Sequence, residues 1–144
     1  MVHSEYAVTI DRPTADVFAY LADATNDRLW RDGVVSIERT SETAELGATY
    51  RQTIRGPGGS QLPGDFAITE YQPNDALSFE VAAGPVRPTG RYLLTADGPD
   101  RTSVTFTLDV TPTGAMRLMS SMIAKEMDAE VKQLDHLKAT LEAA

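Results

Sequence analysis

Cysteine is absent from the 144 residues of this chain, and histidine occurs only twice. The missing thiols exclude disulfides, thiol catalysis, thiolate-bound zinc and cysteine-ligated iron–sulfur clusters. His3 and His136 lie near opposite ends of the chain, and neither is expected to act as a metal ligand or a general base. We therefore expect a site that needs no metal and no cofactor.

Long apolar runs are missing as well, since no stretch approaches the roughly 18 residues of a membrane-spanning helix. The first residues show no signal-peptide pattern, so we expect a cytoplasmic protein without membrane insertion. Basic residues are few: 13 Lys and Arg against 21 Asp and Glu give a net charge of −8, with no local basic patch. Because such a surface repels phosphates, nucleic acid is not an expected partner.

The apolar spacing predicts a single domain over residues 1–144 that begins with one strand and two short helices. Tyr6, Val8 and Ile10 alternate with Ala7 and Thr9, which is the period of a half-buried strand. Pro13 suits the first turn of a helix, and a second short helix or turn is predicted around residues 26–30.

From Val34 onward, short alternating segments are separated by glycine- and proline-rich turns, which is typical of an antiparallel meander. Strands are predicted at 34–40, 48–55, 65–72, 77–83, 90–97 and 102–111. Such a sheet has one buried face and one solvated face.

A helix of roughly 28 residues is predicted from about Gly114 to the end. Its apolar residues form one stripe, consisting of Met116, Met119, Ile123, Met127, Leu134, Leu137 and Leu141. His136 falls on the opposite, solvent-facing side. A twisted sheet that contacts one helix touches it along a line, so we expect a gap between them in which a small ligand could bind.

Several segments resemble the START-like, or helix-grip, superfamily, and within it the polyketide cyclase/dehydrase and lipid-transport branch. The resemblance rests on the run 9–23 followed by Trp30, on 68–73 before 77–79, on 90–92 before 97–98 and 102–105, and on 134–141. It implies an α+β helix-grip fold: a curved seven-stranded antiparallel sheet around a long C-terminal helix, with two short helices after the first strand. Members of the branch include ring cyclases, lipid and hormone carriers and ligand sensors, and the resemblance places Trp30 at the cavity mouth.

The predicted ligand-binding residues share inward strand faces or the apolar helix stripe: Trp30, Tyr50, Gln52, Phe66, Ile68, Phe79, Tyr92, Phe106, Met119, Ile123 and Met127. The alternative for Trp30 and the methionines is an ordinary core position. If Tyr50, Gln52 and Tyr92 are buried, each needs a ligand, a water or another polar group, because an unpaired buried polar group costs about 1–3 kcal/mol. No catalytic residue is assigned.

Two glutamates fall on predicted inward faces. Glu130 lies in the helix stripe and Glu70 shares strand parity with Phe66 and Ile68, so either could act as an acid or base if its pKa were raised. The alternatives for Glu130 are that the helix bends slightly or that the side chain escapes to the sheet edge. The alternative for Glu70 is that a bulge turns it outward. The loop 56–60 lacks the lysine and helix of a phosphate-binding loop, and Ser120 and Ser121 have no activating partner nearby in sequence.

Three functions remain open. The leading hypothesis is binding of a small hydrophobic or aromatic ligand, lipid- or polyketide-like, between sheet and helix. The second is a cyclase, aromatase or dehydratase that uses general acid–base groups in the same cavity. The third is a protein-interaction module with a vestigial cavity. Leu118 and Met122 lie off the stripe and indicate either a self-association surface or a region wrapped by loops, so we expect a monomer or a weak homodimer.

Overall fold

The protein is built on one antiparallel sheet of eight strands in a computed structural model that describes residues 1–144 except the side chain of Pro57. The strands are β1 (Val2–Ile10), β2 (Val34–Arg39), β3 (Thr49–Arg55), β4 (Gln61–Pro63), β5 (Phe66–Gln72), β6 (Ala76–Val81), β7 (Thr89–Ala96) and β8 (Thr102–Val110). Seven of them follow the order β1-β8-β7-β6-β5-β3-β2, and β4 pairs only with β3. The predicted seven-stranded curved sheet is confirmed. The short β4 was not predicted, because its three residues end in a proline and show no alternation.

Two short helical segments follow β1, as predicted. Helix α1 (Thr14–Ala22) begins directly after Pro13 and buries Val17, Phe18 and Leu21. A 3₁₀ turn (Ala24–Leu29) then leads to Trp30, and Asp23 caps this turn by accepting a hydrogen bond from the Thr25 backbone N–H at 3.2 Å. The two segments close one end of the sheet, because β2 packs against the 3₁₀ turn.

The predicted long C-terminal helix is confirmed, but it is interrupted within the predicted 28 residues. It consists of a 3₁₀ turn (Gly114–Met119), α2 (Ser120–Val131) and α3 (Leu134–Ala143). Gly114 has a φ of 58°, and Thr113 provides no side-chain cap, so the α-helix does not begin there. Between α2 and α3 backbone N–H groups donate to the carbonyl three residues earlier instead of four. An example is Gln133 N–H to Glu130 C=O at 3.0 Å.

These interruptions change which residues of the predicted stripe are buried. A 3₁₀ turn advances about 120° per residue instead of 100°, so residues before Ser120 lose phase with α2. Met119 is accordingly 38% exposed, whereas Val131 joins the buried row. The stripe is continuous from Ile123 to Leu141, where its buried members are Ile123, Met127, Val131, Leu134, Leu137 and Leu141.

Strand register brings the large aromatic residues of the inner sheet face together. Tyr92 on β7 lies opposite Phe106 on β8, and Tyr50 on β3 lies opposite Phe66 on β5. Phe79 on β6 lies opposite Gly90, and a Cβ at position 90 would stand 2.1 Å from the tip of the Phe79 ring. Gly90 is therefore required for the Phe79 ring to lie across β7.

Candidate functional site

A cleft of about 430 Å³ opens between the sheet and the start of the final helical segment. We call it the helix cleft. It is bordered by the loop between β6 and β7, by the end of β8 with the residues that follow, and by the helical segment. Its lining includes Val86, Arg87, Val110, Thr113, Met116 and Ile123. Ile123 is the predicted ligand-binding residue that lines it, while Met119 and Met127 do not, and Met127 is instead buried in the core.

A smaller cleft of about 240 Å³ lies where β3 and β5 separate. Only two residue pairs join these strands, because β4 pairs with β3 beyond that point. Tyr50 and Phe66, both predicted ligand-binding residues, line this cleft together with Asp65.

Six of the predicted residues form one aromatic cluster in the interior, consisting of Trp30, Tyr50, Phe66, Phe79, Tyr92 and Phe106. Tyr92 stacks on Phe106 with ring centroids 4.4 Å apart, and Trp30 meets Tyr92 edge to face at 6.2 Å. Trp30 is 1% exposed, so it lies inside the core and not at a mouth. Ile68 is also buried in this core, which Met116 and Ile123 connect to the helix cleft.

A buried ionic group lies beside the aromatic cluster. The Arg31 side chain donates from Nε to Glu130 Oε1 at 2.5 Å and from Nη1 to Asp27 Oδ2 at 3.0 Å and Gln52 Oε1 at 3.2 Å. Gln52 in turn donates from Nε2 to the Gly64 carbonyl at 3.0 Å. We call Asp27, Arg31, Gln52 and Glu130 the Arg31 cluster. It joins the turn after α1, strand β3 and helix α2.

The sequence analysis did not identify Asp27 and Arg31. The turn Ala24–Leu29 positions them, because the Arg31 backbone N–H closes on the Asp27 carbonyl at 2.8 Å and sets the two side chains one helical turn apart. Their side chains are only 7% and 12% exposed. The signal that was available is the i, i+4 pair of opposite charges that brackets Trp30.

Burial and charge set the protonation of this cluster. Burial raises the pKa of the Asp27 carboxyl to about 6, although the neighbouring Arg31 guanidinium acts to lower it. Burial opposes the charge of Arg31, but Glu130 and Asp27 outweigh that effect and raise the Arg31 pKa. The guanidinium is therefore permanently charged, and Asp27 changes protonation near neutral pH.

Buried hydrogen-bonding groups in the aromatic cluster lack partners among the described atoms. They are Trp30 Nε1, Tyr50 Oη and Tyr92 Oη. The Trp30 N–H is turned toward Asp27 and lowers its pKa slightly, but it lies outside full hydrogen-bond geometry. The Tyr50 hydroxyl approaches the Ala24 backbone in the same incomplete way. Tyr92 Oη has no comparable contact with a hydrogen-bonding group among the described atoms. Burial raises the pKa of the Tyr92 hydroxyl well above the usual value.

Glu130 and Glu70 lie in different surroundings and have different ion-pair partners. Glu130 neither escapes to the sheet edge nor stands in an apolar surface, since it pairs with Arg31. The predicted bulge at Glu70 is confirmed, because the β5–β6 register shifts between Ile68 and Glu70. Glu70 accepts hydrogen bonds from Arg91 Nε at 2.9 Å and Ser78 Oγ at 2.6 Å, and these two partners lower its pKa. Glu70 therefore does not belong to the interior site.

Both histidines lie outside the aromatic cluster, as predicted. His3 is half exposed and pairs with Asp109 at 2.6 Å, which raises its pKa. His136 is also half exposed, with Nδ1 3.2 Å from the Trp30 carbonyl. Across the described residues, no three His, Asp or Glu side chains are grouped so that they could hold a metal ion. Among the residues that the structure describes, no helix is long and apolar enough to cross a membrane.

The apolar start of the last helical segment is not covered by loops, so that interpretation is wrong. Leu118 is 89% exposed and Met122 is 47% exposed. Self-association through this surface stays a prediction.

Comparison with known structures shows the same fold in several proteins. A protein from Thermus thermophilus superposes with a TM-score of 0.83 at 18% identity, covering 98% of this chain and 97% of its own. The Zhui aromatase/cyclase from a Streptomyces species gives 0.75 at 17% identity over 98% and 91%. A START superfamily protein from Mycobacterium smegmatis gives 0.67 at 16% identity over 92% and 98%.

Comparison with curated protein sequences gave no match. The profile of one family, however, matches residues 1–142. The chain belongs to the polyketide cyclase/dehydrase and lipid transport family.

Proposed function

We propose that this protein binds a small hydrophobic or aromatic molecule between its sheet and its final helical segment, and that the helix cleft is the entrance. The cleft volume of about 430 Å³ is the observation that carries the proposal. It falls within the roughly 300–1,000 Å³ typical of small-molecule sites.

The inner wall of the helix cleft supports the same function. Ile123 lines the cleft and also belongs to the core that contains Phe79 and Tyr92. Met116 lines the cleft and packs against that core, and a methionine side chain adapts its shape to irregular apolar partners. A ligand that displaces these two side chains would meet aromatic rings.

The experiment uses Trp30, the only tryptophan of the chain, as an internal fluorescence reporter. Acetylnaphthalene is titrated into the protein while Trp30 emission and the thermal unfolding temperature are recorded. Binding is expected to quench the emission and raise the unfolding temperature. Val110→Phe, which narrows the helix cleft, is expected to weaken binding by about tenfold, or about 1.4 kcal/mol.

The matched control is Leu93→Phe, because Leu93 is 41% exposed on the outer face of β7. This variant adds the same ring away from the cleft and is expected to bind like the unmodified protein. Equal affinity in Val110→Phe and Leu93→Phe would contradict the helix cleft as the entrance.

A second candidate function, proton transfer on a ketone as in a cyclase or dehydratase, is favoured by one observation. Asp27 has a pKa of about 6 and lies in the cluster whose charges act on the Tyr92 hydroxyl. A general base works best with a pKa near the operating pH. Proton transfer is measured as the exchange of the acetylnaphthalene methyl protons with deuterated solvent. Asp27→Asn should abolish any exchange above the rate in buffer.

A further inference from the structure

The hydroxyl of Tyr92 is a buried polar group without a partner among the described atoms. The residue is 3% exposed, and its ring is held between Phe106 and Trp30. Among the described atoms, its oxygen has no hydrogen-bond partner. A phenolic O–H is both a donor and an acceptor, and leaving it unpaired in a buried position is unfavourable. A bound molecule with a suitably placed oxygen would satisfy it.

The positive charge nearest to Tyr92 is already neutralised. Arg31 donates to Glu130, Asp27 and Gln52 at distances between 2.5 and 3.2 Å. With both carboxylates ionised, the Arg31 cluster carries two negative charges against one positive charge. A carboxylate placed beside the Tyr92 hydroxyl would therefore find the Arg31 guanidinium already paired and two like charges beside it.

From this geometry we infer that the site selects an uncharged ligand that offers a neutral acceptor oxygen, such as a ketone carbonyl, to the Tyr92 hydroxyl, and that Asp27 and Glu130 reject anionic ligands. This inference rests on the proposed ligand-binding function. It adds which charge class is bound and which residues discriminate.

The electrostatic environment of Tyr92 agrees with this selection. After burial itself, the charge of Asp27 has the largest effect on the Tyr92 pKa and raises it, while Arg31 acts in the opposite direction and Glu130 adds to the increase. The surroundings therefore oppose negative charge on an oxygen at this place.

Three probes that share the naphthalene ring system test the inference: naphthalene, acetylnaphthalene and naphthoate. They are titrated against Trp30 emission at a pH above the Asp27 pKa of about 6. Acetylnaphthalene is expected to bind about three- to tenfold more tightly than naphthalene, which is the usual net value of one hydrogen bond. Naphthoate is expected to bind at least about tenfold more weakly than naphthalene, because its charge is buried without a partner.

Tyr92→Phe keeps the stacked ring and removes the hydroxyl. It should abolish the preference for acetylnaphthalene over naphthalene. The matched control is Tyr71→Phe, because Tyr71 is a partly buried tyrosine that packs against Phe18 and should keep the preference. A preference that survives in Tyr92→Phe would overturn the role of Tyr92.

Glu130→Gln provides a second test, because the amide keeps an oxygen that can accept from Arg31 Nε. It removes one negative charge and is expected to bring naphthoate affinity at least about threefold closer to that of naphthalene. Unchanged rejection of naphthoate would overturn the role of the Arg31 cluster. If all three probes bind equally to the unmodified protein, only the selection fails, whereas the absence of binding by every probe means that the proposed function itself fails.

Discussion

The two ends of the final helical segment differ in how they meet the rest of the protein. In α3, Leu134, Leu137 and Leu141 are at most 7% exposed. The Arg12 side chain donates to the Leu141 carbonyl at 2.8 Å, and Lys138 Nζ donates to the Thr9 carbonyl at 2.5 Å. These contacts fasten α3 to the end of β1 and the start of α1.

The other end has almost none of these attachments. The 3₁₀ turn Gly114–Met119 contains no buried residue, and it borders the helix cleft through Met116. The Arg31 cluster lies between the two ends, where α2 approaches α3. The comparison shows that most residues that hold the helix in place do not border the cleft, whereas Ile123 does both. Substitutions in the 3₁₀ turn can therefore change binding with little loss of stability.

The largest expected difference between the ends is in stability. Leu137 is fully buried in α3, whereas Leu118 is 89% exposed near the cleft. Leu137→Ala is expected to cost about 2–5 kcal/mol of the free energy of unfolding, because it removes buried methyl groups and leaves a cavity. Leu118→Ala is expected to change it by less than about 0.5 kcal/mol. Urea unfolding of both variants measures this, and equal losses would contradict the division.

A smaller effect is expected at the cluster between the ends, and it depends on pH. The pKa of Asp27 is about 6 in the folded protein, against 3.8 for an ordinary carboxyl. Between these values the folded protein holds a proton that the unfolded chain has lost, so rising pH favours unfolding. Asp27→Asn removes this loss. The free energy of unfolding of the variant minus that of the unmodified protein should therefore rise by at most about 3 kcal/mol between about pH 4 and 6.

Glu38→Gln is the control for this measurement, because Glu38 is 61% exposed and pairs with Arg51 on the outer sheet surface. Thermal unfolding of the two variants across that pH range should show a changing difference only for Asp27→Asn. A constant difference for Asp27→Asn would mean that Asp27 is ionised throughout.

The smallest effect concerns the exposed end alone. If Leu118 and Met122 mediate weak self-association, Leu118→Ser should shift sedimentation toward the monomer without a change in unfolding temperature. A homodimer whose population is the same in both proteins would place the contact on another surface. A monomer at every concentration would show that this apolar surface does not mediate self-association.

The strands were predictable because alternation with a period of two survives wherever one face of a sheet is buried. The six strands predicted after residue 33 lie within two residues of the observed bounds, as in 102–111 against Thr102–Val110. The last segment was less predictable, since the same apolar residues suit an α-helix and a 3₁₀ turn. The α-helix begins only after the 3₁₀ turn Gly114–Met119, and backbone geometry and capping decide that start.

The candidate site was predictable on its apolar side only. Inward strand positions correctly indicated that Tyr50, Gln52 and Tyr92 are buried. The Arg31 cluster was missed because Asp27 and Arg31 come from a short turn, in which spacing does not define an inward face. Its partners are also remote in sequence, with Glu130 99 residues from Arg31.

The close approach of Phe79 to Gly90 restricts which pairs of residues can occupy positions 79 and 90. A side chain at position 90 would collide with the Phe79 ring, which is already surrounded by Phe66, Tyr92 and Phe106. A larger residue at position 90 therefore requires a smaller one at position 79. Exchanging the sizes of this pair would therefore change the width of the interior, while the hydrogen bonds of the sheet stay as they are.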